Sequence, residues 1–453
     1  MTPARSIATR MLLLAGAAAA SSAVMLVAWT DQGGAHAAHY AIPGSVAILF
    51  WTCSALSAVA RAKVILLTAS VLGMLWFLEA LAEWRLLSPE EVKFAAARRI
   101  GVAFDSRTDL AVLRAFRAGG DQKAVRALFP RLFLDSDGCP TRGGTRLFPL
   151  GSISRRLTIL CNEDGVYSAY RADRFGFNNP EDAYASSPPD VVLIGDSFVQ
   201  GACVHERQDI GSQLRHAGLH TLGFGMSATG GLAQLAALRE YGLPLRPRTV
   251  LWFHFEGNDL ADTRRELVSP TLMRYLEDPA FSQDLRHRQP EVDAALDDHF
   301  ERELARASTT TERQRISRVT PGRVLTLDVL VRQRLALGNV VLPFSEYGRI
   351  LAAARAATLE SGARFYVVYL PMNPQARGWF ASAPRARIRR LLESLGIDPI
   401  DFTAIVESTP VERLFPFGVA PHYTAHGYAL LAGLIVERLR NDGVLEGRRP
   451  HGE

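Results

Sequence analysis

A serine follows a short apolar run in the stretch IGDSFVQG, residues 194–201. The preceding residues, Val-Val-Leu, are typical of a strand that is buried on both faces, which puts Ser197 at its carboxyl end. A serine hydroxyl is a weak nucleophile and needs a neighbouring base, usually a histidine that a third group orients. Gly-Asp-Ser is also a common turn sequence, in which Asp196 would order the backbone. Ser197 is therefore either a nucleophile or a turn residue.

Three further residues stand where an α/β fold collects its catalytic groups, in loops at strand ends or before a helix. Asn258, in EGNDLAD, follows the apolar run LWFHF, and its side-chain amide is suited to stabilising an oxyanion. Gly225, in GFGMSATGG, offers a backbone N–H for the same purpose. His422, in PHYTAHGY, precedes the last predicted helix and is the candidate general base. Each stretch alone is also typical of an ordinary strand-to-helix connection.

His422 and His426 are four residues apart, a spacing that can hold a metal ion. No HExxH glutamate and no clear third ligand lies near them in the sequence. We therefore interpret His422 as a base and predict no metal site.

Apolar runs and helical patterns alternate between residues 190 and 440. The predicted strands cover residues 191–195, 221–224, 250–255, 365–370 and, more weakly, 397–402. The predicted helices cover residues 210–216, 232–241, 345–361, 385–395 and 428–440. Strands that alternate with helices predict a parallel sheet covered on both faces. Residues 263–343 interrupt this pattern, and we interpret them as a helical insertion or cap near the site, or as a solvated surface excursion.

The first 88 residues contain three apolar segments, residues 11–30, 41–60 and 63–82. Each approaches the roughly 20 residues that cross a bilayer core of about 30 Å. We predict three transmembrane helices in this region. An alternative for the first segment is a cleaved signal peptide, because Ala35-His36-Ala37 resembles a small-x-small cleavage site.

Basic residues predict the orientation of these segments. Arg5 and Arg10 precede the first segment, and Arg61 and Lys63 separate the second from the third, whereas the first connection has no lysine or arginine. The positive-inside rule then places the N-terminus in the cytoplasm and the chain after about residue 84 on the outer side. In a bacterium, this is a multi-pass inner-membrane protein with its large domain in the periplasm.

The net charge of +5 is spread along the chain without a dense basic block, which argues against a nucleic-acid partner.

Residues 89–187 are predicted to form a helical and irregular lead-in to the α/β domain, residues 188–440. Cys139, Cys161 and Cys203 lie in the predicted outer region, where a disulfide can persist. Three cysteines allow one bridge and leave one free, and the sequence does not say which pair forms.

The order GDS, glycine turn, GND and late histidine resembles the SGNH, or GDSL-type, hydrolase family. Its four marker residues would be Ser197, Gly225, Asn258 and His422 here. The resemblance implies a three-layer α/β/α, flavodoxin-like domain, hydrolysis or transfer of acyl esters, and no metal or organic cofactor. Several stretches, including TILCNEDGVYSAYRADRFGFNNP, also resemble a membrane-anchored subgroup associated with bacterial surface-polysaccharide clusters.

One departure concerns the acid that orients the histidine. The family commonly has an aspartate three residues before the histidine, and this position is Val419. No acid lies between Glu412 and His422, and Asp196, Glu256 and Asp259 are not obvious substitutes. The sequence therefore predicts a Ser–His dyad, a triad with a distant acid, or a weakened enzyme.

Two functions follow as hypotheses. The first is a serine-dependent esterase or O-acyltransferase that acts at the membrane on an extracytoplasmic acylated glycan or other ester. The second is a non-catalytic SGNH-fold accessory protein that binds glycan or a polysaccharide-biosynthesis protein. The missing acid and the large insertion favour the second, whereas the intact serine, glycine, asparagine and histidine set favours the first.

Overall fold

The computed structural model of the chain describes residues 3–31, 37–85, 89–184, 188–309, 342–376 and 382–445. These divide into two compact units. The first contains the N-terminal helices, and the second contains the lead-in and most of the α/β body. Ala35 and His36 of the predicted cleavage motif, and residues 310–341 of the predicted insertion, lie outside the described residues.

Three helices form the N-terminal region: α1 (Pro3–Thr30), α2 (Ala37–Ser54) and α3 (Ala58–Arg85). Among the described residues, two stretches, Ala4–Thr30 and Ala58–Leu81, are long and apolar enough to cross a membrane by length and composition. The 18 residues of α2 extend about 27 Å, slightly less than a bilayer core of about 30 Å. The first and third predicted spans thus correspond to helices long enough to cross a membrane, α1 and α3. The second predicted span corresponds to the shorter helix α2.

Arg61 connects the start of α1 to the turn between α2 and α3. Its guanidinium donates hydrogen bonds to the carbonyl oxygens of Ser6, at 2.9 Å, and Leu56, at 2.6 Å, and the residue is only 8 % exposed. The start of α1 and the α2–α3 connection therefore lie at the same end of the helical unit. The predicted orientation requires this arrangement, because it places the basic residues before α1 and those between α2 and α3 on the same side of the membrane.

Short elements make up the lead-in. They are α4 (Pro89–Arg99), α5 (Asp109–Ala118), β1 (Val125–Arg126), β2 (Cys139–Pro140), β3 (Arg146–Leu147), β4 (Leu157–Ile159) and β5 (Ala169–Arg171). Strands β1, β4 and β5 form one small sheet in that order, and β2 pairs with β3. Thr108 caps α5 by accepting a hydrogen bond from the Ala111 N–H at 3.3 Å, which explains why this helix begins at Asp109.

The α/β body alternates strands and helices. Its elements are β6 (Val191–Gly195), α6 (Ser197–Gln200), α7 (Ile210–His216), β7 (Thr221–Gly225), α8 (Gly231–Ala237), β8 (Thr249–Phe255), α9 (Asp259–Glu266), α10 (Pro270–Glu277), α11 (Gln289–Thr309), α12 (Phe344–Glu360), β9 (Arg364–Leu370), α13 (Ser382–Ser394), β10 (Ile400–Asp401), α14 (Thr403–Ser408), α15 (Val411–Leu414) and α16 (Ala425–Asn441). Five strands pair in the order β10-β9-β8-β6-β7, all parallel. The structure therefore confirms the predicted parallel sheet.

Helices pack on both faces of this sheet. Leu193 and Phe253 belong to a buried cluster that includes Ile435 of α16. Trp252 points to the opposite face, because successive side chains of a strand alternate, and its indole N–H donates to the Tyr347 hydroxyl of α12 at 3.3 Å. Every residue of β6, β7 and β8 is buried, which is why these strands read as nearly continuous apolar runs.

The described part of the predicted insertion contains the end of α9, all of α10 and α11, and irregular residues 278–288 between α10 and α11. Asp293 of α11 accepts hydrogen bonds from the N–H and the hydroxyl of Ser154, at 2.9 and 2.6 Å. Asp297 of the same helix forms an ion pair with Arg156 at 2.9 Å. The long helix of the insertion thus packs against the lead-in.

Candidate active site

Ser197 lies at the first position of the short helix α6, directly after β6. Asp196 precedes this helix as its N-cap, because a carboxylate oxygen accepts a hydrogen bond from the Phe198 N–H at 3.0 Å. Asp196 thus orders the turn around Ser197, as the sequence suggested. Gly201 ends the helix at φ +79°, and a Cβ there would lie 2.5 Å from the Cβ of Asp209, so this position requires glycine.

His422 contacts the serine hydroxyl. Its Nε2 lies 2.9 Å from Ser197 Oγ, within hydrogen-bonding distance, although the two residues are far apart in the sequence. The loop that carries His422 ends at α16, where Thr424 caps the helix by accepting from the Gly427 N–H. The Phe198 ring lies beside the imidazole, 5.0 Å between centroids, and helps to fix its position. The structure therefore brings together a serine hydroxyl and an imidazole nitrogen.

Glu163 orients this histidine, and the sequence analysis missed it. One carboxylate oxygen lies 2.9 Å from His422 Nδ1, and the other accepts from the His422 backbone N–H at 3.2 Å. Glu163 is 5 % exposed and belongs to the loop between β4 and β5 of the lead-in. Of the three sequence predictions for this position, the structure matches the triad with a distant acid. Two sequence signals lay near Glu163. Cys161, two residues before it, pointed to a disulfide, and the stretch TILCNEDGVYSAYRADRFGFNNP resembled a membrane-anchored subgroup, but neither indicated a catalytic acid.

The two charges of this pair shift each other's pKa. Burial alone would lower the pKa of His422, but the negative charge and hydrogen bonds of Glu163, together with the charge of Asp196, raise it above its ordinary value. Burial alone would raise the pKa of Glu163, whereas His422 and the nearby Lys93 lower it below its ordinary value. Glu163 is therefore ionised at neutral pH and stabilises the imidazolium form of His422.

Gly225 and Asn258 lie at the carboxyl ends of β7 and β8, the two strands that flank β6. Gly225 pairs with Gly195 at the end of β7, and a Cβ there would lie 2.5 Å from Cβ of Val199 and 2.7 Å from the Asp196 carbonyl oxygen. Glycine is thus required for this close approach of β7 to the serine turn. Asn258 is the residue before α9, and its side-chain N–H donates to Asp262 at 2.8 Å. Both groups lie on the strand edge that carries Ser197.

The other acids considered from the sequence have different partners. Burial raises the pKa of Asp196 to about 7, and the negative charge of Asp259 adds to this rise. Asp259 accepts from the Phe255 N–H at 2.9 Å, and Glu256 accepts from the Tyr369 hydroxyl at 2.5 Å. Each of these acids has a local partner of its own, whereas Glu163 holds both His422 Nδ1 and its backbone N–H.

Glu163, Cys203 and His422 offer atoms within 4.8 Å of one another, a spacing that could hold a metal ion. However, Cys203 is bonded to Cys161 in a disulfide, so its sulfur is not available as a thiolate ligand. His426 is exposed on α16 and is not part of this group. The disulfide also answers the pairing question, and it leaves Cys139 free and buried.

No protein-family model and no curated protein matches this chain. Solved structures similar to it include a G-D-S-L family protein from Desulfitobacterium hafniense DCB-2, at 12 % identity and TM-score 0.32, covering 55 % of this chain and 97 % of that one. A GDSL-like lipase from Bacteroides thetaiotaomicron matches at 11 % identity and TM-score 0.31, covering 58 % and 95 %. A lipase/acylhydrolase from Enterococcus faecalis matches at 15 % identity and TM-score 0.31, covering 56 % and 95 %. Similarities at this level do not assign an activity to the chain. A functional conclusion therefore depends on the geometry of the site.

Proposed function

We propose that the protein is a serine-dependent acyl-ester hydrolase with Ser197, His422 and Glu163 as its triad. The observation that carries this proposal is the continuous hydrogen-bonded chain from the serine hydroxyl through the imidazole to a buried carboxylate. The strand order β10-β9-β8-β6-β7 also supports it, because flavodoxin-like sheets have this order and collect their sites at the carboxyl ends of the strands.

The mechanism follows from the positions of these groups. His422 Nε2 takes the proton from Ser197 Oγ, which attacks the ester carbonyl carbon, and Glu163 stabilises the imidazolium that forms. The backbone N–H groups of Ser197 and Gly225 and the Asn258 amide are proposed to bind the oxyanion. His422 returns the proton to the departing alcohol oxygen. A water molecule, deprotonated by His422, then attacks the acyl-serine carbonyl, and His422 returns this proton to Ser197 Oγ as the carboxylic acid leaves.

The glycan substrate and the membrane location are finer parts of the proposal. The apolar helices α1 and α3 support attachment to a membrane, and the disulfide supports an oxidising compartment such as the periplasm. We propose an acylated extracytoplasmic glycan as the substrate, because such an ester would be accessible in that compartment. Transfer of the acyl group to a sugar hydroxyl, instead of water, would use the same acyl-serine.

The alternative of a non-catalytic accessory protein had its main support in the absent acid. Glu163 removes that support, because it is placed on His422 Nδ1 where a triad acid would stand. We therefore favour the enzyme and treat the binding role as an outcome of the test.

The test measures esterase turnover by the full chain in detergent micelles, with p-nitrophenyl acetate and acetylated oligosaccharides. Replacing Ser197 with alanine should lower kcat by about 10³-fold or more, because it removes the nucleophile. The exposed Ser394, at the end of α13, provides a control, since its alanine variant should retain full activity. A fluorophosphonate probe should label the wild type and not Ser197→Ala.

Equal turnover by wild type and Ser197→Ala, both folded, would contradict the proposal and favour the binding role. Offering glycan acceptors to the acyl-enzyme then separates hydrolysis from transfer. A hydrolase releases free acetate at a rate that acceptors leave unchanged, whereas a transferase forms acetylated acceptor in place of acetate.

A further inference from the structure

The acid of the proposed triad comes from outside the sheet that carries the nucleophile. Glu163 lies in the β4–β5 loop of the lead-in, whereas Ser197 follows β6 of the α/β body. The disulfide between Cys161 and Cys203 joins these two regions directly, across 42 residues of sequence. Cys161 is the second residue before Glu163, and Cys203 is the sixth after Ser197. The bond therefore links the segment that holds the acid to the segment that holds the nucleophile.

Other contacts of this loop hold it to the lead-in. The Lys93 ammonium donates to the Asn162 carbonyl oxygen at 2.6 Å, and the Asn162 side chain donates to the Asp105 carbonyl oxygen at 2.9 Å. The Gly165 N–H in turn donates to the Asn162 side-chain oxygen at 2.9 Å. These hydrogen bonds shape the loop, but they connect it to residues 93–105 and not to the segment around Ser197.

The disulfide is the covalent contact between the loop and the α/β body, and it lies beside the two hydrogen bonds that join Glu163 to His422. A carboxylate oxygen of Glu163, Sγ of Cys203 and a ring nitrogen of His422 all lie within 4.8 Å of one another. The next residue, Asp164, adds an ion pair to His205 at 3.2 Å, but both side chains are partly exposed, and such pairs contribute little. On the other side of the bond, Cys203 has φ +63°, in the left-handed region that non-glycine residues seldom adopt.

We infer that the Cys161–Cys203 disulfide positions Glu163 against His422, so that activity at this site depends on the oxidised form of the pair. The inference rests on the proposed function. It adds a covalent bond that positions Glu163 and a requirement that this bond be oxidised. Two electrons and two protons from a dithiol such as dithiothreitol convert the bond to two thiols, and the reductant becomes a cyclic disulfide. The loop then loses its covalent attachment beside Ser197, and Glu163 no longer holds the imidazole in one orientation.

The experiment uses the full chain in detergent. It carries Cys139→Ser, so that Cys161 and Cys203 are the only cysteines after residue 53. Esterase turnover and the pKa of His422 are measured before and after reduction, the pKa by NMR titration of ¹³C-labelled histidine. We expect reduction to lower kcat by about tenfold or more with little change in KM, and to lower the pKa of His422 because its anionic partner is lost. Reoxidation should restore both, and an unchanged near-UV circular dichroism spectrum of the reduced protein excludes unfolding as the cause.

Glu163→Gln provides the matched background. Reduction should leave its turnover and its His422 pKa unchanged, because the disulfide acts through the carboxylate. The inference is overturned if reduction changes neither quantity in the parent protein, or if it lowers turnover equally in the Glu163→Gln background. If the oxidised protein shows no Ser197-dependent turnover, the proposed function fails, and the pKa of His422 in the two redox states still decides whether the disulfide positions Glu163.

Discussion

The two ring nitrogens of His422 have different partners, and this difference defines what the residue can do. When Nδ1–H donates to Glu163, Nε2 is left as the acceptor that faces the Ser197 hydroxyl. The backbone N–H of His422 donates to the same carboxylate, so Glu163 fixes both the position and the tautomer of the ring. A neutral His422 is the form that can take a proton, and the raised pKa extends its protonated form to higher pH.

Replacing Glu163 with glutamine should lower kcat by about 10² to 10⁴-fold with little change in KM, because the amide no longer stabilises the imidazolium. It should also move the acidic limb of the kcat/KM profile to lower pH. The reason is that the wild-type limb reports the loss of neutral His422 below its raised pKa, and removing the anion lowers that pKa. Turnover of p-nitrophenyl acetate, measured as a function of pH across the acidic limb of the profile, checks both effects.

The adjacent Asp164 supplies the control for this prediction. Its carboxylate is half-exposed and pairs with His205 instead of His422, so Asp164→Asn should leave both the rate and the profile unchanged. If Asp164→Asn lowered kcat as much as Glu163→Gln, activity would depend on the conformation of the loop and not on the Glu163 carboxylate.

At the scale of elements, three parallel strands deliver the proposed serine, glycine and asparagine to one edge of the sheet. β6 and β7 run in register, with Gly195 opposite Gly225, so that the serine turn and the glycine turn lie side by side. The absence of a side chain at Gly225 permits this approach, since its Cβ would overlap Val199. The spacing of two loops is thus set by one residue without a side chain.

Gly225→Ala should therefore destabilise the protein by about 1–3 kcal/mol through overpacking, and reduce turnover by displacing the serine turn. Gly433 is the matched control, because it is exposed in α16 and a Cβ there meets nothing within 4 Å. Gly433→Ala should raise stability by roughly 0.5–1 kcal/mol through helix propensity. Thermal melting in detergent compares the two, and an unchanged melting temperature for Gly225→Ala would contradict the packing argument.

The sequence predicted these strands well because each is a local, continuous apolar run. β7, β8 and β9 lie within one residue of their predicted bounds, whereas β10 is limited to the two residues that pair with β9. Helix α8 begins at Gly231 and continues as a π-helical turn over Leu238–Gly242, close to the predicted helix. Glu163 could not be predicted in the same way. It is 259 residues from His422, in an irregular loop whose position depends on how the lead-in folds onto the body.

At the scale of the whole molecule, the chain combines an apolar helical unit with a globular unit that holds the entire candidate site. Large apolar side chains remain exposed on the helices, among them Trp29 at 85 % and Leu66 at 69 %. Exposed apolar surface of this kind is unfavourable in water and is expected to face lipid. The buried Arg61 joins the start of α1 to the α2–α3 connection, and the predicted three crossings would place both of these on the same side of the membrane.

A topology assay tests that arrangement. Alkaline phosphatase fused after residue 445 should be active and a fluorescent protein fused there dark, because we predict a periplasmic position for the globular unit. Fusions in the α2–α3 connection, after Leu56, should give the opposite result. Active phosphatase at Leu56, or fluorescence after residue 445, would contradict three crossings.

The position of Glu163 has a practical consequence for dissecting the chain. A fragment cut at residue 188, where the apolar strands begin, would retain Ser197, Gly225, Asn258 and His422, and by its motifs it would look like a complete catalytic domain. It would nevertheless lack the carboxylate that orients its histidine and one sulfur of the disulfide. A truncation designed from these motifs alone would therefore produce a fragment with an incomplete site. Low activity of such a fragment would say little about the activity of the intact protein.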